Sequence, residues 1–200
     1  MKRLKALLII CLSACNKTPL PDICETSLRL YEGEYEVVTM NWAPEGGKDI
    51  TVDINDDGKS SNDLALEILS MTEHNPWKHS RLFPDYENKT GALVLNIPII
   101  DYYCQEEEDI PKLFQISFPE IIIRAGINNE GRLYSDRFES LEWPDEERVG
   151  LRSFGGVEIV NSHPGRIDLN IEHYMVYDYK TSQLMIGTMS VWLSKTSLSE

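Results

Sequence analysis

The sequence predicts a mainly β protein, an antiparallel β-barrel or sandwich with one short helix. Two observations lead to this prediction: apolar and polar side chains alternate over several stretches, and clusters of turn-forming residues separate those stretches. The clearest alternation covers Arg166–Asp178, after which the polar residues 179–182 turn the chain into Gln183–Lys195 as a hairpin partner. Short antiparallel strands joined by tight turns are typical of barrels and sandwiches.

Further strands are predicted from the same alternation. Pro98 lies within one apolar run, so that run is an edge strand, a bulged strand or two shorter strands. Gly155-Gly156 would break or bend a strand pair. Within Arg166–Asp178, strict alternation places His173 on the apolar face, where it would be a core or cavity-lining histidine. These further strands are predicted at residues 33–42, 91–104, 113–127, 132–137, 149–154 and 157–161.

Residues 62–71 have helical periodicity instead. Leu64, Ile68 and Met71 fall on one face of a helix. Ser60, followed three residues later by Asp63, approximates a capping pair at its start. The sequence therefore predicts one short helix near residues 62–71.

The amino terminus has the features of an export signal. Three basic residues precede a short apolar run, which is too short to span a bilayer as a permanent helix. The run ends in Leu12-Ser13-Ala14-Cys15, which resembles the lipobox of bacterial lipoproteins residue for residue. The resemblance implies diacylglycerol transfer to the thiol of Cys15, cleavage before it and acylation of the new amino terminus. Two or three acyl chains would then hold the protein stably at a membrane surface.

This assignment divides the chain into a signal peptide at residues 1–14, a lipidated tether at 15–27 and a single antiparallel β domain at 28–200. A lipid-anchored protein of this kind is expected in the cell envelope, and the outer membrane is favoured, with its leaflet undecided. The segment from Gly33 to Trp42, followed by a meander of strands, resembles uncharacterised lipocalin-like lipoproteins of Bacteroidetes. That resemblance implies a lipocalin-like barrel.

The charge of the chain excludes one class of partner. The net charge is −14, and it becomes −17 when residues 1–14 are removed, because Lys2, Arg3 and Lys5 leave and no acidic residue does. Nucleic-acid binding depends on basic side chains that neutralise phosphates, so no nucleic-acid partner is expected. An acidic domain is also repelled by anionic lipid, so the acyl anchor must supply the attachment to the membrane.

The segment from Asp53 to Leu64 resembles the calcium loop of EF-hands and of dockerin repeats. Asp53, Asn55 and Asp57 fall on loop positions 1, 3 and 5, which deliver oxygen ligands from one tight curve. Lys59 would offer its carbonyl oxygen at position 7, after a glycine at position 6.

The end of this segment departs from the calcium-loop pattern. Position 12, normally a bidentate carboxylate, is Leu64, while Asp63 comes one residue early and Glu67 lies a turn further on. Two interpretations stay open: a calcium loop closed by Asp63, or an Asp-Gly turn that leads into a capped helix without a metal.

Two cysteines remain after Cys11 leaves with the signal and Cys15 is acylated. Cys24 and Cys104 could form a disulfide in an oxidising envelope compartment, or stay as two ordinary thiols. The spacing of the two residues does not decide between these alternatives.

The function predicted from these features is non-catalytic binding. We expect a lipid-anchored, barrel-like protein that binds a small apolar molecule, a peptide or a glycan. The alternative is a structural or assembly subunit of an envelope protein complex, and a hydrolase ranks third, because the sequence has no nucleophile elbow and its acidic clusters are consecutive loop residues.

Overall fold

The computed structural model describes residues 23–46, 50–71, 79–104, 111–117, 120–135 and 155–196. These residues form two helices and ten strands. In chain order the elements are α1 (Ile23–Tyr31), β1 (Gly33–Pro44), α2 (Leu64–Met71), β2 (Ser80–Asp85), β3 (Thr90–Asn96), β4 (Ile99–Cys104), β5 (Pro111–Ser117), β6 (Glu120–Ile127), β7 (Leu133–Ser135), β8 (Val157–His163), β9 (Arg166–Asp178) and β10 (Gln183–Lys195).

Eight of these strands form one antiparallel sheet that curls into a nearly closed barrel. Their order is β7-β6-β3-β2-β1-β10-β9-β8, and β4 and β5 form a separate hairpin. The two outermost strands meet through side-chain hydrogen bonds. The backbone N–H of Ile159 in β8 donates to the Ser135 hydroxyl at 2.9 Å, and the Ser162 hydroxyl donates to the Leu133 carbonyl at 3.1 Å. The predicted fold class, a mainly antiparallel β-barrel, is confirmed.

Most of the predicted elements are present, with two differences in their division. The apolar run around Pro98 is two strands, since β3 ends at Asn96 and β4 begins at Ile99. Residues 113–127 are likewise divided between β5 and β6. The sequence pattern does not predict strand β2. Leu82 is its one large apolar side chain that is fully buried, so the strand shows little alternation. The predicted strand at residues 149–154 lies outside the described residues.

Helix α1 was also not predicted, and it begins inside residues 15–27, the range expected to form the tether. Its side chains Leu28 and Tyr31 are fully buried against one end of the barrel. The Tyr31 hydroxyl lies 3.3 Å from the Ser162 hydroxyl at the end of β8. In the described part of the chain, neither helix is long and apolar enough to cross a membrane.

The described strands pack their inward-facing side chains tightly. No water-sized sphere can touch a side chain whose exposed fraction is zero, so no space for a ligand lies against such a residue. The strands of the barrel contribute many side chains of this kind, including two large tyrosines. They are Tyr35, Met40, Leu93, Leu95, Ile121, Ile123, Ala125, Ile167, Ile171, Tyr174, Val176, Met189 and Leu193.

The Trp42 indole crosses β10 and joins β1 to β9. Its Nε1–H donates to the Tyr174 carbonyl in β9 at 3.0 Å. The strand between them carries Gly187, and a Cβ there would lie 2.6 Å from Trp42 Cε2 and 2.1 Å from the Ala43 carbonyl oxygen. Only glycine therefore leaves room for the indole at this position.

Next to this contact, β9 contains a bulge. Tyr174 pairs with Gly187, while Ile171 pairs with Met189, so three steps along β9 match two steps along β10. His173 absorbs the extra residue with a left-handed φ of 52°. The predicted position of His173 on the apolar face is wrong, because the bulge reverses the alternation: His173 is exposed and Tyr174 is fully buried.

We predict that Gly187→Ala destabilises the protein by about 1–3 kcal/mol, since the new methyl group would collide with backbone and indole atoms that cannot both move away. The measurement is the free energy of unfolding in urea. Gly156→Ala is the matched control, because a Cβ there would meet only the Glu172 carboxylate, at 3.7 Å. Equal stability of the two variants would contradict the role assigned to Gly187.

Candidate functional site

The loop that resembles a calcium-binding segment is closed at its neck and fixed to the β9–β10 hairpin. Val52 and Ser61 close it by exchanging backbone hydrogen bonds, both of 2.9 Å. The Asp53 N–H donates to the Asp178 carboxylate at 2.8 Å, and the Tyr179 N–H donates to the Asp53 carbonyl at 2.7 Å. The first residue of the loop is therefore held from both sides by the hairpin turn.

Three carboxylates converge inside this loop: Asp53, Asp57 and Glu67. One oxygen from each lies within 4.8 Å of the other two. Asp53 is 2% exposed and Glu67 is 7% exposed. Asp53 Oδ1 and Glu67 Oε2 are both buried and have no hydrogen-bond partner among the described residues. Two carboxylate oxygens are thus withdrawn from water without any compensating donor.

Each carboxylate also accepts a hydrogen bond from the backbone of the loop. The Gly58 N–H donates to Asp53 Oδ2 at 2.9 Å, and the Lys59 N–H donates to Asp57 Oδ1 at 2.8 Å. The Ile54 N–H donates to the Glu67 carboxylate. These bonds orient all three carboxylates.

Repulsion between the three carboxylates makes it unfavourable for all of them to be ionised at once. Burial raises the pKa of the Glu67 carboxyl above its ordinary value, and the neighbouring carboxylates of Asp57 and Asp53 raise it further. Lys59 offers little compensation, because its ammonium lies 3.9 Å from Asp57 and its side chain is 85% exposed. A proton or a metal cation bound between the carboxylates would reduce this repulsion.

The structure brings Asp53 and Asp57, two of the five predicted calcium ligands, together with Glu67. The Asn55 amide oxygen accepts the Asp57 N–H, and its amide nitrogen donates to Ser70. The roles of Asn55 and of the Lys59 carbonyl oxygen as ligands stay predictions. Asp63 Oδ1 accepts from the Ala65 N–H at the start of α2 and from the Met40 N–H in β1, both at 3.1 Å.

Glu67 therefore occupies the place that the sequence pattern gave to Asp63. Helical periodicity was the signal for it, since residues four apart in a helix lie on the same side. Asp63 begins α2 and Glu67 lies one turn later, so the helix carries its carboxylate back to the loop.

A second candidate site is an open pocket of about 510 Å³ beside the bulge in β9. The bulge directs the Glu172 and His173 side chains away from the core. The His173 ring packs against Gly155, where a Cβ would lie 2.6 Å from Nδ1. His173 Nε2 also lies 3.5 Å from the Glu45 carboxylate. The lining residues are Ser135, Gly155, Gly156, Val157, Glu158, Glu172 and His173.

The sequence pattern does not predict this pocket. Its carboxylates and imidazole come from β8 and from the bulge of β9, and the bulge reverses the alternation used to assign faces. The one sequence signal was Gly155-Gly156, which predicts a break in strand pairing. In the structure these glycines exchange hydrogen bonds with Glu172, since the Gly155 N–H donates to its carbonyl and the Gly156 carbonyl accepts its N–H.

The remaining predicted site residues are cysteines. Cys15, the expected lipidation site, lies outside the described residues. Cys24 is half-buried in α1, and its Sγ lies 3.4 Å from the Lys89 carbonyl. The side chain of Cys104 is also outside the described part, so the pairing of Cys24 with Cys104 stays a prediction.

The carboxyl group of Asp178 makes the stability of this loop depend on pH. Burial would raise the pKa of its carboxyl, but the hydrogen bonds from Thr181 and from the Asp53 N–H outweigh burial, so the pKa falls below its ordinary value of 3.8. A depressed folded-state pKa contributes stability that is present above the unfolded-state pKa and is lost as the pH falls through the folded-state pKa.

We predict that Asp178→Asn lowers the free energy of unfolding at pH 7 by about 1–3 kcal/mol. The difference from the unaltered protein should shrink as the pH falls below 3.8. Urea denaturation at a series of pH values measures it. Asp85→Asn is the control, because the Asp85 pKa is also lowered, by Asn88, on an exposed turn. A difference that is constant with pH, or one equal in the two variants, would contradict this account.

Comparison with known proteins identifies no family. No family model matches the chain, and no curated protein matches it. Solved structures with some likeness include bovine odorant-binding protein with its natural ligand, at 12% identity and a TM-score of 0.30, covering 86% of this chain and 74% of that one. The odorant-binding protein from bovine nasal mucosa has 11% identity and a TM-score of 0.31, covering 86% and 76%. Likeness at this level carries no argument about function, and the fold rests on the strand order given above.

Proposed function

We propose that this protein is a non-catalytic binding protein, held at the bacterial cell envelope by acyl chains on Cys15, and that its ligand occupies the open pocket beside the β9 bulge. The observation that supports this proposal best is the open pocket itself, beside described barrel strands whose inward-facing side chains are tightly packed. The volume of about 510 Å³ falls within the usual range for small-molecule sites, about 300–1,000 Å³.

The lining of the pocket favours a glycan or a peptide over an apolar molecule. Glu158 and Glu172 are acceptors when ionised, and the Ser135 hydroxyl and His173 imidazole can donate or accept. A ligand with hydroxyl or amine groups would keep these side chains hydrogen-bonded, whereas an apolar one would strip water from them without replacement. The backbone at Gly156 carries no side chain that would block the approach of a ligand.

The membrane anchor in this proposal rests on the sequence. The basic start, the short apolar run and the lipobox ending at Cys15 are the features that support it. Outer membrane is the favoured location. Such an anchor would make a membrane the protein's second partner.

A second candidate function, an assembly subunit, is favoured by apolar side chains on the outer face of the barrel. Phe83 in β2 is 47% exposed and Ile122 in β6 is 58% exposed. They lie diagonally across β3, between Arg81 and Arg124 on the same face. Concentration-dependent self-association, or a stable complex with an envelope protein that is lost in Ile122→Ser, would favour this function.

We predict that the protein made in a bacterial host partitions into the membrane fraction with a mass lacking residues 1–14 and gaining two or three acyl chains. Cys15→Ser should leave the precursor uncut and without added hydrocarbon, because the thiol is the attachment point. Intact-mass analysis measures both. Cys24→Ser is the control and should be processed normally. A precursor of unchanged mass in the unaltered protein would contradict the proposed anchor.

We predict that titration with a soluble oligosaccharide or a short peptide panel shifts the backbone NMR signals of Gly155, Gly156 and Glu172. The shifts should saturate, and Gly155→Ala should weaken the binding at least several-fold, because it displaces the His173 ring. Glu87→Gln, on an exposed turn, is the control. An apolar fluorophore that binds in the interior with these signals unmoved would contradict the proposed site.

A further inference from the structure

We infer that Asp53, Asp57 and Glu67 form a calcium site that fastens α2 and its preceding loop to the β9–β10 hairpin. Nothing in this inference depends on the pocket or on the lipid anchor. It begins from the two buried oxygens, Asp53 Oδ1 and Glu67 Oε2, for which the described part of the chain supplies no hydrogen-bond partner.

Unpartnered buried acceptors of this kind are rare in folded proteins. A buried polar atom without a partner costs about 1–3 kcal/mol, and more when the group is charged. Here the two atoms belong to carboxylates that also face Asp57 across less than 4.8 Å. Like charges held so close are stable only if a proton or a cation lies between them.

The donor set selects a hard cation. The three converging side chains offer only carboxylate oxygens, and among the described residues neither histidine nor cysteine belongs to the cluster. Oxygen ligands suit calcium and magnesium, whereas zinc and copper favour nitrogen or sulfur. Two oxygens on opposite sides of a calcium ion are about 4.6–5.2 Å apart, which accommodates oxygens that lie within 4.8 Å of one another.

Calcium is favoured over magnesium by where the ligands come from. Asp53 and Asp57 belong to an irregular loop and Glu67 to a helix, so their geometry is set by separate elements. Calcium tolerates irregular coordination by six to eight oxygens, whereas magnesium requires a near-ideal octahedron. Waters and loop carbonyls would complete the shell.

The position of the site shows what the ion would do. Asp53 is fixed to the hairpin through Asp178 and Tyr179, while Glu67 belongs to α2. An ion shared by these two carboxylates would join Asp53 to α2, and the bonds of Asp53 would then link α2 to a hairpin more than a hundred residues later in the chain. Because the unfolded chain cannot hold the three ligands together, binding would stabilise the folded state.

The test is thermal unfolding of the full chain after removal of metal with a chelator. We expect calcium to raise the melting temperature by about 5–10 °C at a concentration 100-fold above its dissociation constant. Magnesium at the same concentration should raise it much less, and sodium chloride at matched ionic strength should not reproduce the shift. Calorimetric titration with calcium should give one ion per chain.

Three variants separate the site from general charge screening. Glu67→Gln and Asp57→Asn each remove one ligand charge with little change of shape, and each should weaken calcium binding at least tenfold. Asp56→Asn is the matched control: Asp56 neighbours Asp57 in the same loop but is outside the cluster, and asparagine tolerates its positive φ of 58°. It should bind calcium normally.

Several results would overturn the inference. They are a melting temperature unchanged by calcium, an equal shift with magnesium, and equal calcium responses in Asp57→Asn and Asp56→Asn. Because Asp57 is part-exposed in a loop, its variant keeps the test valid if Glu67→Gln fails to fold. Circular dichroism of each variant without metal establishes that it is folded.

Discussion

The bulge in β9 is the constraint on which the rest of this barrel depends. One extra residue between Ile171 and Tyr174 reverses which side chains face inward. The N-terminal half of β9 therefore buries Ile167 and Leu169, and the C-terminal half buries Tyr174 and Val176. The Trp42 indole spans this point above Gly187 and hydrogen-bonds to the Tyr174 carbonyl. The hydrogen bonds that Gly155 and Gly156 exchange with Glu172 hold the other side of the bulge.

The same bulge links the fold to the candidate pocket. The two residues that the bulge exposes, Glu172 and His173, supply part of the pocket lining, and Gly155 gives the imidazole room. A few residues further along β9, Asp178 holds the loop that carries the three converging carboxylates. One strand therefore positions both groups of polar side chains, and the inward face of the barrel is left to apolar packing.

Much of the fold follows from local sequence pattern. Alternation predicts the β9–β10 hairpin, and helical spacing predicts α2, because in both cases burial of one face dominates. The pattern fails where a tertiary contact decides. His173 is exposed because a bulge breaks the alternation, and α1 is held in place because Leu28 and Tyr31 cover the barrel end.

The candidate metal ligands also divide into those that local sequence pattern predicts and those that it does not. Asp53 and Asp57 were found from loop spacing, since both lie within one tight curve. Glu67 replaces Asp63 because α2 starts at Leu64 and Asp63 caps it, so the helix and not the loop supplies the third carboxylate. The pocket is lined by residues from strands that are distant in sequence, and local spacing cannot predict that such residues lie close together.

The location of α1 gives the molecule an orientation. This helix touches β8 at Ser162, whereas the pocket lies at the opposite end of that strand, near Val157, about 17 Å away. A chain moored through Cys15 has only eight residue steps before α1 begins, a reach of at most about 28 Å. If the chain is attached through Cys15, so short a connection would hold the α1 end of the barrel near the lipid. The pocket and the carboxylate loop would then face away from the membrane, toward the solvent.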